Sequence, residues 1–231
     1  MMNARTVAIC AFALAVGPHS LQGQGLTSYR NFELGSELAA VSDRAGIAVS
    51  EAKTIHERPA VLQDLEWRPA RWISGSTAVS TDPVEQILFS FYNNQLFRVV
   101  VDYNNDRTEG MTETDMIEAL SAVYGAPVKR TAGAGRAASH VEIESGKPVA
   151  RWGDAQYPVV LYRTSSFGET FRLIVTAAAL DDLARKALVQ AARLDEQEAP
   201  QREIARQKKE RDDDRAVAEK ARTANKAVFR P

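Results

Sequence analysis

The stretch FSFYNNQLFRVVVDYNND, Phe89 to Asp106, constrains the fold more than any other part of the chain. Apolar side chains alternate on either side of Asn93-Asn94-Gln95, and alternation is the mark of a strand with one buried face. The segment therefore reads as a β-hairpin, and two loop lengths are open. A two-residue loop sets Phe91 opposite Leu96 and Phe89 opposite Arg98, which places an arginine in an aromatic face. A three-residue loop sets Phe91 opposite Phe97, Phe89 opposite Val99 and Ile87 opposite Val101. It sends Ser90, Arg98 and Asp102 to the other face. Register follows the hydrophobic pattern, so the three-residue loop is expected, with asparagine taking the left-handed position. Each buried aromatic contributes about 1.5–3 kcal/mol. The face is therefore expected to be core packed under a helix, with a displayed binding face as the alternative.

Helix signals bracket the hairpin. Upstream, Ser36 in LGSELAAVSDRAG stands as an N-cap, Leu38, Val41 and Ala45 recur at helical spacing, and Gly46 stops the helix. LQDLEWRPARWI reads as a strand broken at Pro69, because proline cannot donate into a ladder. Downstream, Thr112 and Asp115 make a capping-box pattern ahead of a Met116, Leu120, Val123 stripe that Gly125 and Pro127 end. SHVEIESGKPVARWGD reads as strand, turn and strand. YPVVLYRTSSFGETFRLIVTA reads as a second hairpin with a longer loop. ALDDLARKALVQAARL is amphipathic, with Leu180, Leu183, Ala187, Leu188 and Ala191 on the face expected to meet the sheet, and Pro200 interrupts it. From Arg193 to Arg222 nine positive and nine negative residues cancel. With no apolar stripe, this stretch reads as a solvated helix or a disordered tail, and contact with a partner is the alternative.

The two halves share an order. A helix ended by glycine (Leu38 to Gly46, Ile117 to Gly125), an Ala-Arg-Trp run (Ala70–Trp72, Ala150–Trp152) and an Phe-Arg apolar strand (FRVVV from Phe97, FRLIV from Phe171) recur at offsets of 79, 80 and 74 positions. Three features at nearly one period indicate an internal duplication. The expected fold class is α+β. Two tandem repeats of a helix followed by antiparallel strands, over 26–110 and 111–178, precede a C-terminal helix over 179–199 and a charged tail over 200–231. A helical segment opening near LGSELAAV and followed by antiparallel strands, repeated twice, resembles the tandem-repeat β-lactamase-inhibitor-like modules. Its single unit is similar to the small SmpA/OmlA-type outer-membrane domain. The resemblance implies a sheet that binds protein partners. The inhibitor family's disulfides and the lipoprotein family's lipobox are both missing from this sequence.

Residues 1–25 read as a signal peptide. Arg5 precedes the apolar run TVAICAFALAVG, which is too short to span a bilayer, and PHSLQGQG follows with Gly23 and Gly25 placed for cleavage before Leu26. The single cysteine, Cys10, lies inside that run, so the mature chain would have no cysteine and would depend on its core. Export to the periplasm or beyond is expected. A net charge of −1 provides no field to draw nucleic acid, and no later segment is long and apolar enough for a membrane span.

Asp102, Asn104 and Asp106 fall at positions 1, 3 and 5 of an EF-hand-like loop and Glu113 at position 12, but Arg107 occupies the position that needs glycine. A polar strand-to-helix loop is the better reading than a calcium site. His140, Glu142 and Glu144 alternate along one strand, a solvent face more readily than a zinc site. IHERPA begins like a zinc-protease helix but has Ala60 in place of the second histidine. AGAGR lacks the Lys-Ser/Thr of a phosphate loop, and GxSxG does not occur. No catalytic residue and no cofactor are expected. Trp67, Arg68, Trp72, Trp152 and Tyr162 have the composition of a partner-binding surface; rings roofed by arginine stems are the alternative. Together these observations point to an exported, non-enzymatic protein-interaction module with an envelope or secreted protein as partner. An envelope hydrolase or ligand-binding enzyme with a site between the repeats, or a calcium-stabilised structural protein, are the alternatives.

Overall fold

The computed structural model describes residues 25–69, 81–128, 145–164, 170–228 and 230. Residues 1–24 of the expected signal peptide, Trp72, and His140, Glu142 and Glu144 lie outside the described residues. A two-stranded ribbon, β1 (Ser28–Tyr29) and β2 (Phe32–Glu33), leads into α1 (Leu38–Ala45). Four strands follow: β3 (Lys53–His56), β4 (Leu62–Trp67), β5 (Val84–Tyr92) and β6 (Gln95–Tyr103). Then come α2 (Asn105–Thr108), α3 (Glu113–Tyr124), β7 (Lys147–Trp152), β8 (Val159–Thr164), β9 (Thr170–Thr176) and the long α4 (Ala178–Val228). The protein is thus α+β, with one seven-stranded sheet in the order β3-β4-β5-β6-β9-β8-β7. Every neighbouring pair is antiparallel.

The opening hairpin combines the two readings. Asn93 and Asn94 both have positive φ, 46° and 69°, and form a two-residue turn that pairs Tyr92 with Gln95 and Phe91 with Leu96. The register then slips, and Ser90 pairs with Arg98, Phe89 with Val99 and Ile87 with Val101. The expected three-residue loop is therefore corrected. A turn with two positive φ values matches the strand twist, and the odd residue is absorbed as a bulge at Phe97. The bulge moves Phe97 off the Phe89 face, where the sequence placed it, and sets it beside Arg98 on the opposite face.

That turn also starts α1. The Leu38 N–H donates to the Asn94 carbonyl at 3.2 Å and to Asn94 Oδ1 at 3.3 Å, while Asn93 Oδ1 accepts from the Val61 N–H at 2.9 Å. Ser36 is not the cap; Glu37 holds that position without a side-chain bond. Gly46 ends α1 in the left-handed conformation as expected. Thr112 and Asp115 form the expected capping box of α3. Met116 and Leu120 are buried, but Val123 is 64% exposed, and Tyr124, one helical position further round, packs on the core instead.

Helices α1 and α3 lie on one face of the sheet. Leu38, Val41, Met116 and Leu120 share a single core with Leu65, Ile87, Phe89, Phe91, Val99, Leu161, Leu173 and Trp152. The first turns of α4 lie on the other face, where Ala184 and Ala187 pack against Phe97, Leu62 and Ala60. The expected stripe is corrected in part: Ala187 and Ala191 are buried and Leu180 packs on the same cluster as expected, but Leu183 and Leu188 are exposed and Ala184 is buried in their stead. Small side chains let the helix axis approach the bulged Phe97 ring, which fills the space a leucine would need. Pro200 does not end the helix, which continues through it to Val228.

Candidate interaction surface at the sheet edge

β3 is four residues long and β4 six. Their pairing runs from Lys53↔Asp64 to His56↔Leu62, so β4 extends past its neighbour at Leu65, Glu66 and Trp67. A 3-10 turn at Val49–Glu51 carries the preceding chain aside. The gap is a groove of about 580 Å³. Ile47, Ile55, Trp67 and Leu88 supply apolar wall, and Lys53, Asp64, Glu66 and Arg68 supply charge. Trp67 is half-buried against the core. Arg68 is exposed yet held: Nε donates to Glu66 Oε1 at 2.6 Å and Nη2 to Gln86 Oε1 at 2.8 Å. Burial raises the Asp64 carboxyl above its ordinary pKa, a shift opposed by the Ser90 hydroxyl and the positive charge of Arg98. An apolar wall with fixed charges at its rim suits a peptide-like ligand with alternating side chains.

The other aromatic candidates are not displayed. Trp152 is fully buried, with Nε1 donating to Ser121 Oγ at 3.2 Å, because α3 covers this part of the sheet. Tyr162 is buried with Val100, Val160 and Ile174 on the opposite face. Of the five residues read as a partner-binding set, Trp67 and Arg68 come together, Trp152 and Tyr162 are corrected to core positions, and Trp72 lies outside the described residues.

The calcium candidates are dispersed into other bonds. Asp102 receives Arg172 Nε at 2.6 Å and Nη2 at 3.0 Å. Asn104 caps α2 through the Arg107 N–H and donates to Glu85 at 2.6 Å. Asp106 lies in the first turn of α2, and Glu113 opens α3 with Lys147 3.8 Å away. Among the described residues, no group of three or more histidine, cysteine or carboxylate side chains is arranged to hold a metal ion. Asp102 and Glu113, which a catalytic site between the halves would gather, point to different partners.

Sequence reading missed the most buried ion pair among the described residues. Arg98, beside Phe97 at the bulge, bonds to Asp181 in the first turn of α4; Arg98 is 8% exposed and Asp181 0%. Arg185 Nε is 3.4 Å from the same carboxylate. The available signal was an arginine inside the apolar run FRVVV, since such a charge needs a partner. Its partner is 83 positions away, beyond any local rule. No protein-family model, curated protein or solved structure matches the chain.

Proposed function

We propose that the chain is an exported, non-enzymatic protein-interaction module, and that the β3–β4 edge groove takes an extended segment of an envelope or secreted protein. The observation that carries this reading is the pairing of Trp67 with a doubly bonded Arg68, beside a strand that outruns its neighbour. Backbone groups along such an edge can hydrogen-bond an added strand, and the groove wall can receive every second side chain. The carboxylates Asp102 and Asp181 support binding over chemistry, since arginines engage both. No helix of the described residues is long and apolar enough to cross a membrane.

The strand register supports a two-repeat organisation. An offset of 74 positions converts the β6–β9 pair Arg98↔Thr176 into Arg172↔Asp102, and Val99↔Val175 into Leu173↔Val101, with Val100↔Ile174 at the centre. The outer pairs follow: Phe89↔Val99 corresponds to Leu161↔Leu173, and Trp67↔Ile87 to Trp152↔Val159. In this register the counterpart of Trp152 is Trp67, where the sequence offset pointed to Trp72. One repeat thus covers its tryptophan with α3, and the other leaves its tryptophan at the groove.

The test is capture from envelope extract with a photo-crosslinking residue at the exposed Ile55 position, in wild type and in Arg68→Glu. Arg68 is on the surface, so melting should be unchanged while the crosslinked species is lost. Equal crosslinking in both would overturn the groove assignment. Fractionation with and without residues 1–25 tests the address, and full-length chain in the cytoplasm with its N-terminus intact would overturn export.

A further inference from the structure

The outer part of α4 makes no use of the sheet. Every residue from Ala199 to Val228 is exposed. Its ion pairs support the helix on one side of its middle: Arg202 bonds to Asp195 and Glu198, and Arg206 to Glu203. Beyond Lys208 the four-residue spacing gives mixed support: it pairs opposite charges at Lys209 with Asp213 and Arg215 with Glu219, and like charges at Glu210 with Asp214, Arg211 with Arg215 and Arg222 with Lys226.

The charges instead follow a longer order. Residues 195–203 hold Asp195, Glu196, Glu198 and Glu203 against Arg202, a net −3. Residues 204–211 hold Arg206, Lys208, Lys209 and Arg211 against Glu210, a net +3. Residues 212–219 hold Asp212, Asp213, Asp214 and Glu219 against Arg215, again −3. Residues 220–228 hold Lys220, Arg222 and Lys226, a net +3. The blocks are eight or nine residues long, so each is about 12–14 Å of helix. Reversing one copy about the junction of Arg211 and Asp212 brings each negative block onto a positive one. In a parallel, in-register pair each block would meet its like.

We infer that two copies of this chain associate through residues 195–228 of α4 as an antiparallel, two-fold symmetric helix pair held by alternating charge blocks. The pair is closed, because a two-fold contact uses the same surface on both copies. It is sensitive to salt, because exposed charges are screened within about 10 Å at 0.1 M and about 3 Å at 1 M ionic strength.

Sedimentation equilibrium of the full chain between 0.05 and 1 M NaCl tests this. The expected result is a monomer–dimer equilibrium that weakens at least tenfold across the range. Asp212→Lys/Asp213→Lys/Asp214→Lys, which sets like charges against residues 204–211 of the partner, should also weaken the dimer at least tenfold. Adding Lys208→Glu/Lys209→Glu/Arg211→Glu on the same chain restores the complementarity and should restore the dimer. Four outcomes overturn the proposal: a monomer at every salt concentration, a dimer indifferent to both salt and charge inversion, no recovery in the doubly inverted chain, or open-ended growth. Open-ended growth would show a parallel, staggered contact.

Discussion

The Arg98–Asp181 pair allows a quantitative test of how α4 is fixed to the sheet. Asp181→Ala leaves the Arg98 guanidinium under the helix without its carboxylate. Breaking a buried pair by removing one member costs about 3–5 kcal/mol, a large share of a total stability of about 5–15 kcal/mol. With a urea m-value of about 2 kcal/mol/M, the unfolding midpoint should fall by roughly 1.5–2.5 M. The pair is imperfect, since Arg98 Nε has no hydrogen-bond partner among the described residues. Replacing both members, Arg98→Met with Asp181→Leu, removes that orphaned donor and both desolvated charges while Arg185 keeps Asp182 as its partner, and should return the midpoint to the wild-type value or above it. Urea titrations of the three chains at constant pH and salt, with m compared as well as midpoint, decide the matter. An Asp181→Ala chain within about 1 kcal/mol of wild type would show that the guanidinium reaches water. A double variant as weak as the single one would show that Asp181 serves the helix start rather than the arginine.

Three further outcomes are expected. Ala187→Asp should destabilise by about 3 kcal/mol or more through an unpaired buried charge, whereas Leu183→Asp, on the solvent side of the same helix, should stay within about 0.5 kcal/mol in the same titration. Asn94→Ala should cost about 1–2 kcal/mol, because it forfeits the side-chain oxygen that accepts from the Leu38 N–H at the start of α1 and places a side chain disfavouring positive φ in the turn; thermal melting measures it. The Arg30 guanidinium, bonded to Asp82 at 2.7 Å, holds that carboxyl below its ordinary pKa of 3.8. The folded chain therefore binds this proton less readily than the unfolded one. The stabilisation is present above pH 4 and is lost as pH falls through the lowered pKa, so Asp82→Asn should flatten the acid limb of stability against pH.

What could be read from sequence was what is decided within a few residues. The Thr112–Asp115 box, the Gly46 stop and the buried face of Ile87, Phe89, Val99 and Val101 all depend on neighbours in the chain. The hairpin loop was misread because a simple alternation rule has no place for the extra residue at Phe97. The α4 stripe was misread because the rule rewards large apolar side chains, while the surface that receives the helix already carries the Phe97 ring and needs alanine. Trp67 and Trp152 each adjoin an arginine, and nothing local separates them. Their burial is set by what covers the sheet at each end: α3 and Ser121 over Trp152, the end of α1 beside Trp67. The Arg98 partner lies 83 positions away, and the edge groove arises from the unequal lengths of β3 and β4, so neither had a sequence signature.

The β6–β9 seam has a consequence for how the chain reaches this state. Its two strands, FRVVV and FRLIV, lie 74 positions apart, so the seam closes only after a long loop has been ordered. The core draws residues from both sides of it, so neither half holds a complete apolar interior alone and the sheet should melt as one cooperative unit. Until closure, each strand offers an unpaired edge of β-branched and aromatic residues carrying a single charge, the composition that recruits other chains into aggregates. Each half thus acts as the other's protection in the folded protein. Slowed closure, more than weakened packing, would turn productive folding into precipitation.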